Sequence, residues 1–184
     1  MDIDVDVIES GAQLILSGLG YKDDNNSLKQ TPLRYAKALM EMCTREEFNL
    51  TEFEDGNYTG LVFQGPIPFH SLCEHHILPF YGDVWIGYIP NGKIVGLSKL
   101  ARTVDYWSKG LNTQEYITQN IANFLQEKLN PLGVAVRMTG VHMCMELRGV
   151  KKSGVPTTTQ TFLGAFFDEP QTRLEFENLV RDNQ

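Results

Sequence analysis

Apolar side chains recur at helical spacing from about residue 4 to 19, which puts Ile8, Ala12, Ile15 and Leu19 on one stripe. Gly18 and Gly20 stand where a C-terminal cap belongs, so the spacing predicts one amphipathic helix. A second helix is predicted in QTPLRYAKALMEMC, with Thr31 as N-cap and Pro32 at the first helical position. Its apolar face is Leu33, Ala36, Met40 and Cys43, which makes Cys43 a core residue. From 44 to 60 the chain turns acidic and polar around Gly56 and Gly60, as a connector does. The pattern then switches to β-rich runs. DVWIGYIPNGKIVGL predicts strands near 83–89 and 93–97 joined as a hairpin at Asn91-Gly92. SKLARTVDYWS returns to helical spacing, with Ser98 as N-cap and Leu100, Val104 and Trp107 along one stripe. A further helix over about 113–129 carries Ile117, Ile121, Phe124, Leu125 and Leu129, and stops at Asn130-Pro131 and Gly133. VAVRMTGVHMCMELRG and TTTQTFLGAFF read as two more strands, and PQTRLEFENLV as a closing helix. The predicted class is α+β: a helical arm and connector over 1–60, then a ββααββ domain with a final helix over 61–184.

Composition narrows the class. With 184 residues and 42% apolar side chains the chain can bury one good-sized core. A net charge of −7 argues against a nucleic-acid or membrane-surface partner, because phosphate-backbone affinity needs a basic face. The acidic start MDIDVDVIES has neither a basic segment nor an apolar run, and no stretch reaches the length of a membrane span, so a cytoplasmic protein is expected. Three cysteines, Cys43, Cys73 and Cys144, are too few and odd in number for a disulfide framework; thiols or metal ligands fit better.

The unusual chemistry is concentrated in FHSLCEHHILPF, which holds three of the four histidines and one of the three cysteines. Cys73 and His76 form a Cys-x-x-His, a spacing that lets a tight turn aim a sulfur and an imidazole at one point. In the predicted strand VHMCMELR, residues two apart share a face, so His142, Cys144, Glu146 and Arg148 line up opposite Val141, Met143, Met145 and Leu147. Cys144 can then supply a third soft ligand. Cys₂His with an open fourth position is a catalytic zinc pattern. One Cys-x-x-His alone is a weak signal, and Cys144 alone could be an inert buried thiol. His75 and His142 add weight, because they stand where proton-transfer groups beside an activated water belong. His70 has no matching partner and reads as structural or solvated. Ser98, Lys99 and Arg102 open a helix, where free amides and two neighbouring cations suit an anion. A solvated basic face is the plainer reading of that segment, and Arg148 with Lys151 and Lys152 tilts it toward phosphate. Gln114-Glu115 opens the next helix, where a carboxylate also simply complements the helix dipole.

Taken together, SLCEHHILPFYGDVWIGYIPNGKIVGLSKLAR, TQE and VHMCMELRGVKKSGVPTTTQTFLGAF closely resemble the GTP cyclohydrolase I family, and the likeness runs from TPLRYAK to the end. The resemblance implies a tunnelling fold, an antiparallel ββααββ sheet with helices on one face, in subunits that form a ring. It further implies a homodecamer of two stacked pentamers with active sites between subunits. In that family zinc is held at the positions of Cys73, His76 and Cys144, and His75 and His142 occupy the proton-transfer positions. Ser98, Lys99, Arg102 and Arg148 match positions facing the triphosphate of GTP, and Gln114 and Glu115 match positions facing the guanine. The implied reaction is hydrolytic opening of the guanine imidazole ring, release of formate and closure to 7,8-dihydroneopterin triphosphate. This chain departs from the common Gln-Glu-Arg at Tyr116, which bears on rate and substrate affinity more than on identity. Two other classes share parts of the pattern. A same-fold nitrile reductase acting on a deazaguanine would not need Cys73, His76 and Cys144 together. A non-catalytic oligomer that binds zinc and GTP would have no use for His75.

Overall fold

The structure, a computed structural model, describes residues 3–21 and 26–183. Contacts divide the chain into two compact units, Met1–Thr44 and Arg45–Gln184. The first contains helices α1, Val5–Gly18, and α2, Thr31–Cys43. Asp4 caps α1 by accepting from the Val7 amide at 3.1 Å, satisfying one of the free donors of the first turn. In α2 Thr31 is already helical; Gln30 occupies the cap position without a side-chain bond, and Pro32 sits in the first turn as expected. Ala12, Pro32 and Ala36 are buried, whereas Cys43, expected in the core, is only half-buried.

The second unit is built on a five-stranded sheet in the order β5-β2-β3-β6-β7. Its strands are β2, Val62–Cys73; β3, Pro79–Ile89; β5, Leu111–Asn112; β6, Gly133–His142; and β7, Thr157–Gly164. Two short strands, β1, Glu52–Glu54, and β4, Lys93–Val95, pair apart from it. Helices α3, Leu97–Ser108, and α4, Gln114–Leu129, lie between β4 and β6. The single turn α5, Met143–Glu146, follows β6, and α6, Ala165–Asp168, with α7, Pro170–Asp182, closes the chain.

The expected ββααββ order is present, but its first pair differs from the sequence expectation. β3 pairs with β2 on one side and β6 on the other, so no edge is left for residues 93–95. β4 therefore pairs with β1, and Asn91-Gly92 is a turn without the hairpin expected there; its Gly92 amide donates to Asp55 Oδ2 at 2.8 Å. The hairpin that does form is β2–β3, with Cys73 to Leu78 as its tip.

Strand alternation places Ile67, Phe69, Phe80, Val84, Ile86, Tyr88, Val134, Val136 and Met138 on one sheet face, packed against Leu100, Val104, Ile117, Ile121, Leu125 and Leu129 of α3 and α4. The opposite face carries Trp85 and Ala135, which meet Phe166, Phe176 and Val180 of α6 and α7. Two helices thus cover one face as the tunnelling fold requires, and the C-terminal helix covers part of the other. Tyr88 is fully buried, and its hydroxyl accepts from the Val95 amide at 3.0 Å, which pins the entry to α3 against the sheet. No helix among the described residues is long and apolar enough to cross a membrane.

Candidate active site

Backbone bonds close the β2–β3 tip. The Cys73 amide donates to the Leu78 carbonyl at 2.8 Å, and the Ile77 amide to the Cys73 carbonyl at 2.9 Å, with Ile77 in the left-handed region at φ 53°. This closes a tight turn over Glu74, His75 and His76. Asn112 braces it from beside: its carbonyl accepts from the Glu74 amide at 3.1 Å, and its buried amide donates to Ser71 Oγ at 3.0 Å and to carbonyls at the end of α3. Sequence reasoning missed Asn112. The available signal was an Asn between Gly110 and the capping Thr113, at the junction of two helices.

Cys144 arrives from the other side. It was expected on a strand in line with His142, Glu146 and Arg148. In the structure β6 ends at His142 and the chain turns into α5, so these four side chains do not share a strand face. The turn is what brings Cys144 back to the β2–β3 tip. The candidate ligand atoms of Cys73, His76 and Cys144 all lie within 4.8 Å of one another. His75 and His76 are nearly equidistant from Cys73, with Nδ1 atoms 3.6 Å and 3.7 Å from its Sγ, yet only His76 also shares the group with Cys144. His75 points outward, 64% exposed, with Nε2 3.6 Å from Glu74.

Two thiols and an imidazole converging on one point fit a divalent cation. Burial, and then the neighbouring Cys73 sulfur, push the Cys144 thiol up, a penalty on its charged form. A cation between the sulfurs removes that penalty, and soft sulfur with imidazole is a donor set that zinc favours.

His142 lies at the end of β6, where its ring stacks on Phe80 at 4.6 Å and 6° between planes. Its Nε2 is 2.9 Å from Gln114 Oε1. Burial lowers its pKa, and the nearby Glu115 carboxylate partly opposes the shift. Glu115 is exposed in the first turn of α4 with no ion pair among the described residues. Gln114, placed by sequence beside the substrate, is buried. Arg148 follows α5 on an exposed loop, with Nη1 2.7 Å from His76 Nε2. Glu146 ties that loop back by accepting from the Gly154 amide at 2.7 Å. His70 is exposed on β2.

Ser98, Lys99 and Arg102 are elsewhere. They lie in the first half of α3, which enters beside Tyr88, eight residues and roughly 27 Å along β3 from Phe80. The other end of α3 is at the metal group: Ser108 bonds Asn112, which pairs with Cys73. Ser98 is about 15 Å from Ser108 along the helix axis. Within one chain, therefore, the basic segment and the Cys-His-Cys group stand at opposite ends of the same helix, while Arg148, His75, His142 and Glu115 gather at the metal end.

The family model for GTP cyclohydrolase I matches residues 8–181. A curated GTP cyclohydrolase 1 from Sulfurihydrogenibium is 42% identical over 100% of this chain and 99% of its own length. One from Aquifex aeolicus is 43% identical over 98% of this chain and 99% of its own. One from Bacteroides fragilis is 46% identical over 91% of this chain and 88% of its own. A likeness that spans the Cys-His-Cys group, both helices and the whole sheet leaves one conclusion: this chain belongs to the GTP cyclohydrolase I family.

Proposed function

We propose that this chain is a zinc-dependent GTP cyclohydrolase, which opens the guanine imidazole ring hydrolytically, releases formate and forms 7,8-dihydroneopterin triphosphate. The observation that carries the reading is the convergence of Cys73, His76 and Cys144 within 4.8 Å beside two histidines that are not part of that group. Cys73, His76 and Cys144 would hold zinc. When bound, zinc supplies Lewis acidity that activates water toward C8 of the guanine.

The remaining roles fall to side chains around that group. His75 is exposed and adjacent to a ligand, placed to deliver a proton to N7 as the C8–N bond opens. His142, held flat on Phe80, moves a proton during opening of the ribose. Glu115 accepts from N1–H and the exocyclic amine of guanine. Arg148 holds the triphosphate from the metal side, and Ser98, Lys99 and Arg102 supply the other phosphate contacts. Tyr116, where relatives commonly carry Arg, is half-exposed next to Glu115 and bears on rate and substrate affinity.

The separation along α3 implies that the phosphate contacts come from a second copy. The free edge of β7 and the short β5 at the other edge favour the same conclusion, since exposed strand edges call for a neighbour. We therefore place the active sites between subunits of a ring, with a decamer of two pentamers as the assembly. A mixing experiment reads this. Cys144→Ala and Lys99→Ala are each expected to be nearly inactive. Dissociated, mixed in equal amounts and reassembled, they should regain roughly a quarter of the native rate, the statistical share of sites drawing an intact metal group from one copy and an intact basic segment from another. No recovery would put the whole site in one chain.

His75→Ala separates proton delivery from metal holding. The variant should keep its zinc and lose about 10²- to 10⁴-fold in kcat. Zinc loss, by elemental analysis, would exchange the roles of His75 and His76.

A further inference from the structure

The Gln114 side chain is engaged at both ends of its amide. Its Nε2 lies 3.1 Å from the Met138 carbonyl, 3.0 Å from the Thr157 carbonyl and 3.1 Å from Thr159 Oγ1. Carbonyl oxygens only accept, so the amide nitrogen must face them, and the assignment of Oε1 toward His142 is forced. Thr159 is held in turn by Thr118 at 2.6 Å, and the Thr118 hydroxyl also bonds the Gln114 carbonyl at 2.8 Å. The backbone enforces the same arrangement from the other side: a Cβ on Gly140 would stand 2.8 Å from Gln114 Oε1 and 3.2 Å from Phe69.

Both N–H groups of Gln114 are thus spent inside the chain, and the residue is 2% exposed. It has no donor to offer a purine. What it does offer is an acceptor of fixed direction, 2.9 Å from His142 Nε2. An acceptor there demands a proton on Nε2. A neutral His142 must then carry its lone pair on Nδ1.

We infer that Gln114 is a positioning residue: it holds His142 in the tautomer protonated at Nε2, so that Nδ1 is the atom that exchanges protons with substrate. This rests on the reading of His142 as a proton-transfer group, and its test is chosen to be separable from that reading. Phe80 fixes the plane of the ring and Gln114 fixes its rotation within that plane. Thr118, Thr159 and Gly140 belong to the same device.

The direct test is a long-range ¹H–¹⁵N correlation spectrum of the zinc-loaded protein, labelled on its four histidines, at a pH where the imidazoles are neutral. His142 should show the pattern of an Nε2–H, Nδ1-bare ring. The opposite pattern, or a mixture of both, would overturn the inference without any variant being made. Gly140→Ala keeps every polar group and displaces the amide oxygen. It should turn the His142 signal into a mixture and lower kcat by about tenfold or more, with KM for GTP changed by less than about threefold. Gln114→Leu, which removes the acceptor altogether, should do the same more severely. A rise in KM with the tautomer unchanged would make Gln114 a guanine contact instead and overturn the proposal. An intact tautomer combined with a fully active His142→Ala would leave the positioning in place and remove the catalytic reading of His142.

Discussion

Cys144→Ala is expected to purify nearly free of zinc and to release no measurable formate from GTP. Structural zinc sites closed by four protein ligands bind with about 10–16 kcal/mol, so by that scale one thiolate accounts for roughly 3 kcal/mol, about two orders of magnitude in affinity. The geometry makes Cys144 hard to replace. It sits on a four-residue turn at the end of β6, and no other cysteine, histidine, aspartate or glutamate joins Cys73 and His76 in a group of this kind among the described residues. The fold should survive, because Cys144 is only half-buried at the rim of the core and the sheet ends two residues earlier. Elemental analysis and circular dichroism check the two halves of this expectation. Full zinc occupancy in a folded variant would remove Cys144 from the ligand set.

The second large effect is expected at Glu115. Guanine presents N1–H and the exocyclic amine side by side, and a carboxylate is an acceptor-only fork that takes both. Adenine has neither donor at those positions, so the same carboxylate would face a lone pair. A site built on such bonds rejects the analogue lacking them by on the order of 10⁴-fold, since the buried acceptor is left unpaired. The structure leaves Glu115 available: it is exposed, without an ion pair among the described residues, and close enough to His142 to influence its proton affinity. Its service to the α4 dipole is worth only about 0.5 kcal/mol. Glu115→Gln keeps size and helix propensity but exchanges one acceptor for a donor. GTP turnover and binding of a non-hydrolysable GTP analogue should both fall by about 10³-fold or more, with zinc content and melting temperature near native. A variant within threefold of the native kcat/KM would mean that backbone groups read the guanine.

Much of this was legible in the sequence, and the failures have identifiable causes. The helix expected over about 113–129 announced itself by five apolar positions at helical spacing and the Asn130-Pro131 stop, and α4 starts one residue later, with Thr113 as its cap. The strand at 62–73 was hidden by Gly65, Pro66 and Pro68, residues that ordinarily break strands. A register shift between Gln64 and Ile67 absorbs the first two, after which the alternation resumes. With that strand unseen, the Asn91-Gly92 turn looked like the hairpin of the sheet, although pairing there was excluded by neighbours that lie far away in sequence. The Cys-His-Cys group was legible because Cys-x-x-His is local and cysteines are few. The turn that carries Cys144 was not, because HMCMELR alternates as a strand would, and only the tertiary position of the β2–β3 tip bends it. Gln114 and Glu115 were paired as guanine-facing positions through the TQE likeness; what the sequence did not reveal is that the first of the two is buried and the second exposed, since adjacent helix positions face different ways.

The most direct test of the central claim is the fate of the C8 carbon. Zinc-loaded protein incubated with GTP labelled at C8 should release labelled formate in step with a pterin that becomes fluorescent on oxidation, one formate for each pterin, and chelation should stop both until zinc is returned. Retention of the label in the nucleotide by fully zinc-loaded, assembled protein would contradict the account.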